Sequence, residues 1–98
     1  MLDAGEEALA FAAGRVRADL DSDRKLVLAL IKLVEILGEA AAKVGVETRQ
    51  KYPAIPWDAV VATRNRLIHG YFDINLDIVW DTITIDLPLI VAELRKAV

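Results

Sequence analysis

The segment from Asp23 to Val44 constrains the fold more than any other part of the chain. Val27, Leu30, Val34, Leu37, Ala41 and Val44 recur in alternating three- and four-residue steps, which is the spacing of one face of an α-helix. Leu26, Leu33 and Ala40 flank that stripe on one side and Leu28 and Ile31 on another, so Lys25, Lys32, Glu35, Glu39 and Lys43 keep only a narrow polar strip. A helix apolar over most of its circumference has to be covered by more than one neighbour. It is the expected centre of a helical bundle, and the rest of the chain must supply its partners.

Those partners can be read on either side of it. Leu2 to Leu20 places Leu9, Ala12, Ala13, Val16 and Leu20 at roughly helical spacing and predicts an amphipathic helix, entered without an obvious N-cap. Asp21-Ser22-Asp23 breaks it and caps the central helix, which Gly45 is expected to end in a left-handed conformation. From Val46 to Trp57 the periodicity fails, and Pro53 and Pro56 favour extended or turn geometry, so this is the expected main loop. Pro56 suits the first turn of a third helix running to His69, with Gly70 as its end. After a capping Asn75, the row Leu76, Trp80, Ile83, Leu87, Ile90 and Leu94 reads as one long helical stripe. The β-branched run Thr82-Ile83-Thr84-Ile85 and Pro88, which cannot donate to the carbonyl of Thr84, predict a kink or break there. A lone strand would leave its ladder unpaired, so the expected fold is all-α, an up-and-down bundle of four to five helices.

Composition adds the setting. Ninety-eight residues, 55% of them hydrophobic, are enough for one core, so residues 1–98 are read as a single domain. A mean hydropathy of +0.35 is high for so small a chain and predicts self-association. There is no cysteine, hence no disulfide framework, thiolate metal site or thiol nucleophile. Asp3, Glu6 and Glu7 replace the basic start of a signal peptide, and charged residues interrupt the longest apolar stretch short of the about 20 residues a membrane span needs. The expected location is the cytoplasm. A net charge of −3 argues against a broad electrostatic grip on nucleic acid, so any RNA contact must be local.

One cluster stands out chemically. Arg64-Asn65-Arg66-Leu67-Ile68-His69-Gly70-Tyr71 gathers two guanidiniums, an amide, a phenol and the only histidine within eight positions. A lone histidine near a helix end is ordinarily a C-terminal cap, and Arg64 and Arg66 could be ordinary solvated charges. On a regular helix His69 lies roughly 140° round from Arg64, so one straight helix cannot make them close neighbours. They converge if the helix unwinds at Gly70, or if a two-fold axis brings one subunit's His69 towards the other's Arg64. The apolar excess favours the second route.

Arg64, four intervening residues, His69, one residue and Tyr71 match the arginine-x4-histidine-x-tyrosine motif of the HEPN superfamily and, within it, of the HepT toxins. The chain resembles that family further through Leu33-Val34-Glu35-Ile36-Leu37-Gly38-Glu39-Ala40, Ile55-Pro56-Trp57, Trp80 and Leu87-Pro88. It departs at the amino end, where members usually carry another turn or so of helix. The resemblance implies a homodimeric HEPN bundle whose facing motifs cut RNA at the dimer cleft with neither metal nor cofactor. Arg64 and His69 are the implied catalytic pair, with Asn65 and Arg66 as substrate-positioning groups. Imidazole, with an ordinary pKa near about 6.5, can take a proton from a ribose 2′-hydroxyl or return one to the leaving oxygen. Arginine can grip the phosphate in a bidentate manner.

The resemblance also implies a partner: a minimal nucleotidyltransferase antitoxin of the MNT fold that silences the toxin by transferring AMP from ATP to the motif tyrosine, which is Tyr71 by position. Without the motif, Tyr71 would read as a half-buried packing residue. Trp57 and Trp80 read as core anchors rather than base-stacking platforms. Asp73, Asp77 and Asp81 read as the solvated start of the last helix rather than a metal face. The competing functional reading is a non-catalytic helical dimer that binds a nucleotidyltransferase or a nucleotide.

Overall fold

The computed structural model describes residues 1–69 and 75–97, with Ile68 and His69 described by their backbone alone. Its elements are α1 (Leu2–Ala12), α2 (Asp19–Ser22), α3 (Arg24–Ala42), α4 (Val46–Lys51), α5 (Trp57–His69), α6 (Leu76–Asp81), a π-helical turn (Thr82–Asp86) and α7 (Leu87–Ala97). The expected all-α bundle is what forms, and no strand occurs among the described residues. Four principal helices carry it, since α6, the π turn and α7 continue as one.

α3 is the central element. The Asp23 carboxylate accepts from the Leu26 N–H at 3.0 Å and caps its start. Leu26, Val27, Leu30, Leu33, Val34, Leu37, Gly38 and Ala41 are buried along it. α1 packs on one flank and α5 on the other, while the last helix closes the core with Val79, Ile83, Leu87 and Val91. Where α1 crosses α7, Gly5 lets the backbones approach: a Cβ there would meet Val91 Cγ2 at 2.8 Å. Arg95 pairs with Glu6 at 2.9 Å beside that crossing.

Four expectations are corrected. The first helix ends at Ala12 rather than Leu20, because Gly14 takes a left-handed φ of +74° and turns the chain into the short α2. Val16, expected in the apolar stripe, is therefore 60% exposed. Gly45 does not form a left-handed stop; its φ is −71° and it precedes α4, a helix within the segment expected to be loop. The reason for both lies in Arg49 of α4, whose Nη2 donates to the Ala41 carbonyl at 2.9 Å and whose Nε donates to the Val44 carbonyl at 3.1 Å. It satisfies carbonyls at the end of α3 that a glycine cap would otherwise serve.

At the predicted kink or break before Pro88 the helix does not stop. It widens by one residue per turn, with the Leu87 N–H bonding to the Thr82 carbonyl. The Thr82 and Thr84 hydroxyls donate to the carbonyls of Ile78 and Trp80, each at 2.7 Å. Thus the β-branched run stays helical, and the π turn takes up the mismatch that proline's missing donor creates.

Candidate active site

α5 is held firmly at its start. Trp57 is buried and its indole N–H donates to the Tyr52 carbonyl at 3.1 Å. Arg49 reaches over from α4, 6.0 Å above the Trp57 ring and 3.3 Å from the Asp58 carboxylate. Val60, Thr63 and Leu67 are buried along the helix, and the Thr63 hydroxyl donates back to the Ala59 carbonyl at 2.9 Å. The start, middle and pitch of α5 are therefore fixed by packing, which sets where Arg64 emerges.

Arg64 emerges against Gly38 of α3. A Cβ on Gly38 would lie 2.5 Å from Arg64 Cγ and 3.3 Å from Cδ, and closer still to its Cβ. Only bare backbone leaves room for the arginine stem there. The Arg64 side chain is 28% exposed, with Nη1 donating to Asn65 Oδ1 at 2.8 Å and Nη2 lying 3.5 Å from Glu39 Oε1. Nε is buried and has no acceptor among the described residues. A buried donor left without an acceptor is costly, and a charged one more so.

The structure thus brings Asn65 to Arg64 and sends Arg66 elsewhere. Two residues along a helix turn the side chain by about 200°, and Arg66 lines a groove between α5 and the last helix. That groove has a volume of about 370 Å³. Its walls are Ala59 and Ala62 on one side and Thr82, Asp86 and Leu89 on the other. His69 is the final residue of α5, five residues beyond Arg64, or about 7.5 Å along the axis. Tyr71 lies outside the described residues, as does Asp73. Asp77 is taken up by Arg17, at 2.7 Å, and Arg17 also bonds Asp21 at 3.1 Å. Hydrogen bonds first to Asp77 and then to Asp21 hold the Arg17 guanidinium above its ordinary pKa.

Two further residues of the site lie outside the motif. Glu39 sits in the polar strip of α3 and looks like solvated charge, yet it faces Arg64 across 25 positions of chain. Gly38 does leave a signal, since a glycine within a strongly helical pattern marks a close approach.

Comparison with known proteins places nearly the whole chain in a family. The chain matches the family described as Ribonuclease HepT-like over residues 1–97. It is 38% identical over 80 residues to a candidate RNase of Caldanaerobacter subterraneus subsp. tengcongensis, covering 82% of this chain and 68% of that protein. A candidate RNase of Methanocaldococcus jannaschii is 34% identical over 76 residues, 78% of this chain and 63% of its own length. The probable ribonuclease HepT of Thermococcus cleftensis is 32% identical over 78 residues, 80% of this chain and 71% of its own. No solved structure gives a match. With the motif arginine seated on α3 and the family matched along nearly the whole chain, this protein belongs to the HepT-like ribonuclease family.

Proposed function

We propose that the protein is a metal-independent endoribonuclease of the HEPN type and the toxin half of a toxin–antitoxin pair. The observation that carries this reading is Arg64, on the helix that ends in His69: a guanidinium clasped by Asn65 and Glu39, with a buried Nε that has no acceptor among the described residues. His69 acts as the general base that removes the ribose 2′-hydroxyl proton and, once protonated, supplies a proton to the leaving 5′-oxygen. Arg64 binds the phosphate and its developing charge, and Asn65 positions Arg64. The attacking 2′-hydroxyl restricts the reaction to RNA. A pool of transcripts incubated with the purified protein should be cut at discrete positions in the presence of chelator; an uncut pool, with the partner bound tightly, supports the non-catalytic module instead.

The working form is a homodimer. Supporting this, the molecule measures 42 × 28 × 17 Å, only two helix layers deep. Its accessible surface of 6042 Å² exceeds the roughly 5,500 Å² typical of a monomer of its mass. Beside the α5 groove, Leu89 is 68% and Ile85 59% exposed. A two-fold partner would bring a second copy of the motif helix to the first, the kind of convergence of Arg64 and His69 that one helix denies. Light scattering at micromolar concentration should give twice the chain mass, and Leu89→Asp should shift it towards the monomer. A monomeric wild type at that concentration would count against the cleft.

Tyr71 is the control point. It follows His69 by two residues, and an AMP group on its phenol would place a phosphodiester anion beside Arg64, in competition with substrate phosphate. Incubation with the MNT-fold nucleotidyltransferase antitoxin and ATP should add AMP mass to the Tyr71 peptide, and Tyr71→Phe should escape both labelling and silencing. Labelling confined to Tyr52 would refute the assignment.

A further inference from the structure

We infer that Glu39 is a positioning residue for the Arg64 guanidinium, an inference that rests on the ribonuclease reading above and names a part of its site. Each Nη of an arginine carries two N–H groups. Asn65 Oδ1 engages Nη1 at 2.8 Å, and Glu39 Oε1 faces Nη2 at 3.5 Å. Among the described residues, these bonds leave a second N–H on Nη1 and on Nη2. That pair is what a phosphate requires for a bidentate grip.

The two clasps come from different elements. Asn65 is the chain neighbour of Arg64 and moves with it, so it cannot by itself fix the guanidinium relative to the rest of the fold. Glu39 stands on α3, the most buried helix, next to the Gly38 notch that receives the arginine stem. Stem and head are therefore both referenced to α3. Nε, buried and without an acceptor among the described residues, adds no hydrogen bond of its own to resist rotation about the Cδ–Nε bond. With Glu39 removed, Asn65 alone holds the planar head, which is then free to swing its Nη edge away from the phosphate.

The Glu39 side chain is 47% exposed, and its carboxylate lies near where a phosphate anion on Arg64 would sit. It therefore has two effects on catalysis, and they act on different constants. Orientation favours the transition state and appears in kcat, whereas repulsion weakens substrate binding and appears in KM. A residue that mattered only for folding would show neither this split nor a dependence on the acceptor oxygen.

The test compares wild type, Glu39→Ala and Glu39→Gln by two measurements. In steady-state cleavage of a defined RNA, Glu39→Ala should lower kcat about tenfold with KM unchanged or reduced, since small misplacements of a positioned group are costly. Glu39→Gln, which keeps an acceptor oxygen and loses the charge, should recover kcat to within about threefold. Independently of any RNA, the Nη protons of ¹⁵N-labelled Arg64, assigned by their loss in Arg64→Lys, should be separately resolved in wild type and Glu39→Gln. In Glu39→Ala they should collapse by fast rotation. Equal rotation in all three proteins, or wild-type kcat in Glu39→Ala, overturns the inference. Slow rotation restored by Gln in a protein that cuts no RNA keeps Glu39 as the clasp and removes the ribonuclease reading instead.

Discussion

His69→Ala is expected to lower RNA cleavage by about 10²- to 10⁴-fold, the contribution of a general acid–base group, and Arg64→Ala to lower it at least as far. Neither change should alter helix content. His69 closes α5 rather than occupying its middle, and Arg64, half-buried, contributes a stem rather than core volume. Arg64→Lys should rescue little, because an ammonium offers no planar fork to match a phosphate and cannot reproduce the clasp of Asn65 and Glu39. The double variant should be scarcely worse than either single one, since groups that act in one step are not additive. Single-turnover rates on a defined RNA give these ratios directly. Full activity in His69→Ala would falsify the mechanism.

Gly38→Ala is the second large effect, and it acts through packing. The new methyl would stand 2.5 Å from Arg64 Cγ, and closer to Cβ, which cannot swing aside as the tip of a side chain can. Either α5 retreats from α3 or Arg64 leaves its seat. Overpacking of this kind costs about 1–3 kcal/mol. A displacement of about 1 Å at a positioned group costs on the order of 10²-fold in rate. Chemical denaturation and single-turnover cleavage should therefore both register the change, and a fully active, fully stable Gly38→Ala would show that the α3–α5 contact does not set the arginine. The neighbouring clasp can be varied without this steric effect, because Glu39 lies on the exposed side of α3.

The central helix was legible because its signal is periodic and its cap is local: Asp23 announces the start and the apolar stripe fixes the buried face. Asn75 gave the last helix in the same way, by accepting from the N–H groups of Asp77 and Ile78. What pattern could not supply was any feature decided by a distant side chain. Arg49 ends α3 from outside it, so glycine seemed the natural stop when it was not. Apolar spacing carried the first helix through Gly14, although one left-handed residue is enough to end it. The proline in the last helix announced irregularity, but whether the chain breaks, kinks or widens depends on whether hydroxyls such as those of Thr82 and Thr84 can reach free carbonyls.

The site divides along the same line. The motif was legible as spacing, and the angular separation of Arg64 and His69 follows from helix geometry alone. That Arg66 would face away from Arg64 also follows from register once α5 is placed on α3, whereas the Asn65–Arg64 bond does not. Glu39 was not legible, because a carboxylate in a polar strip has the same sequence signature whether it faces solvent or a guanidinium.

The product ends of cleavage test the central claim most directly. Attack by a ribose 2′-hydroxyl on the adjacent phosphate expels the 5′-oxygen of the next nucleotide and leaves a 2′,3′-cyclic phosphate on one fragment and a 5′-hydroxyl on the other. The wild-type protein, incubated with a defined RNA in excess chelator, should yield those ends, and the same strand carrying a single 2′-deoxynucleotide at the cut position should survive. Cleavage that requires added magnesium, leaves a 5′-phosphate or proceeds through the deoxy position would contradict it.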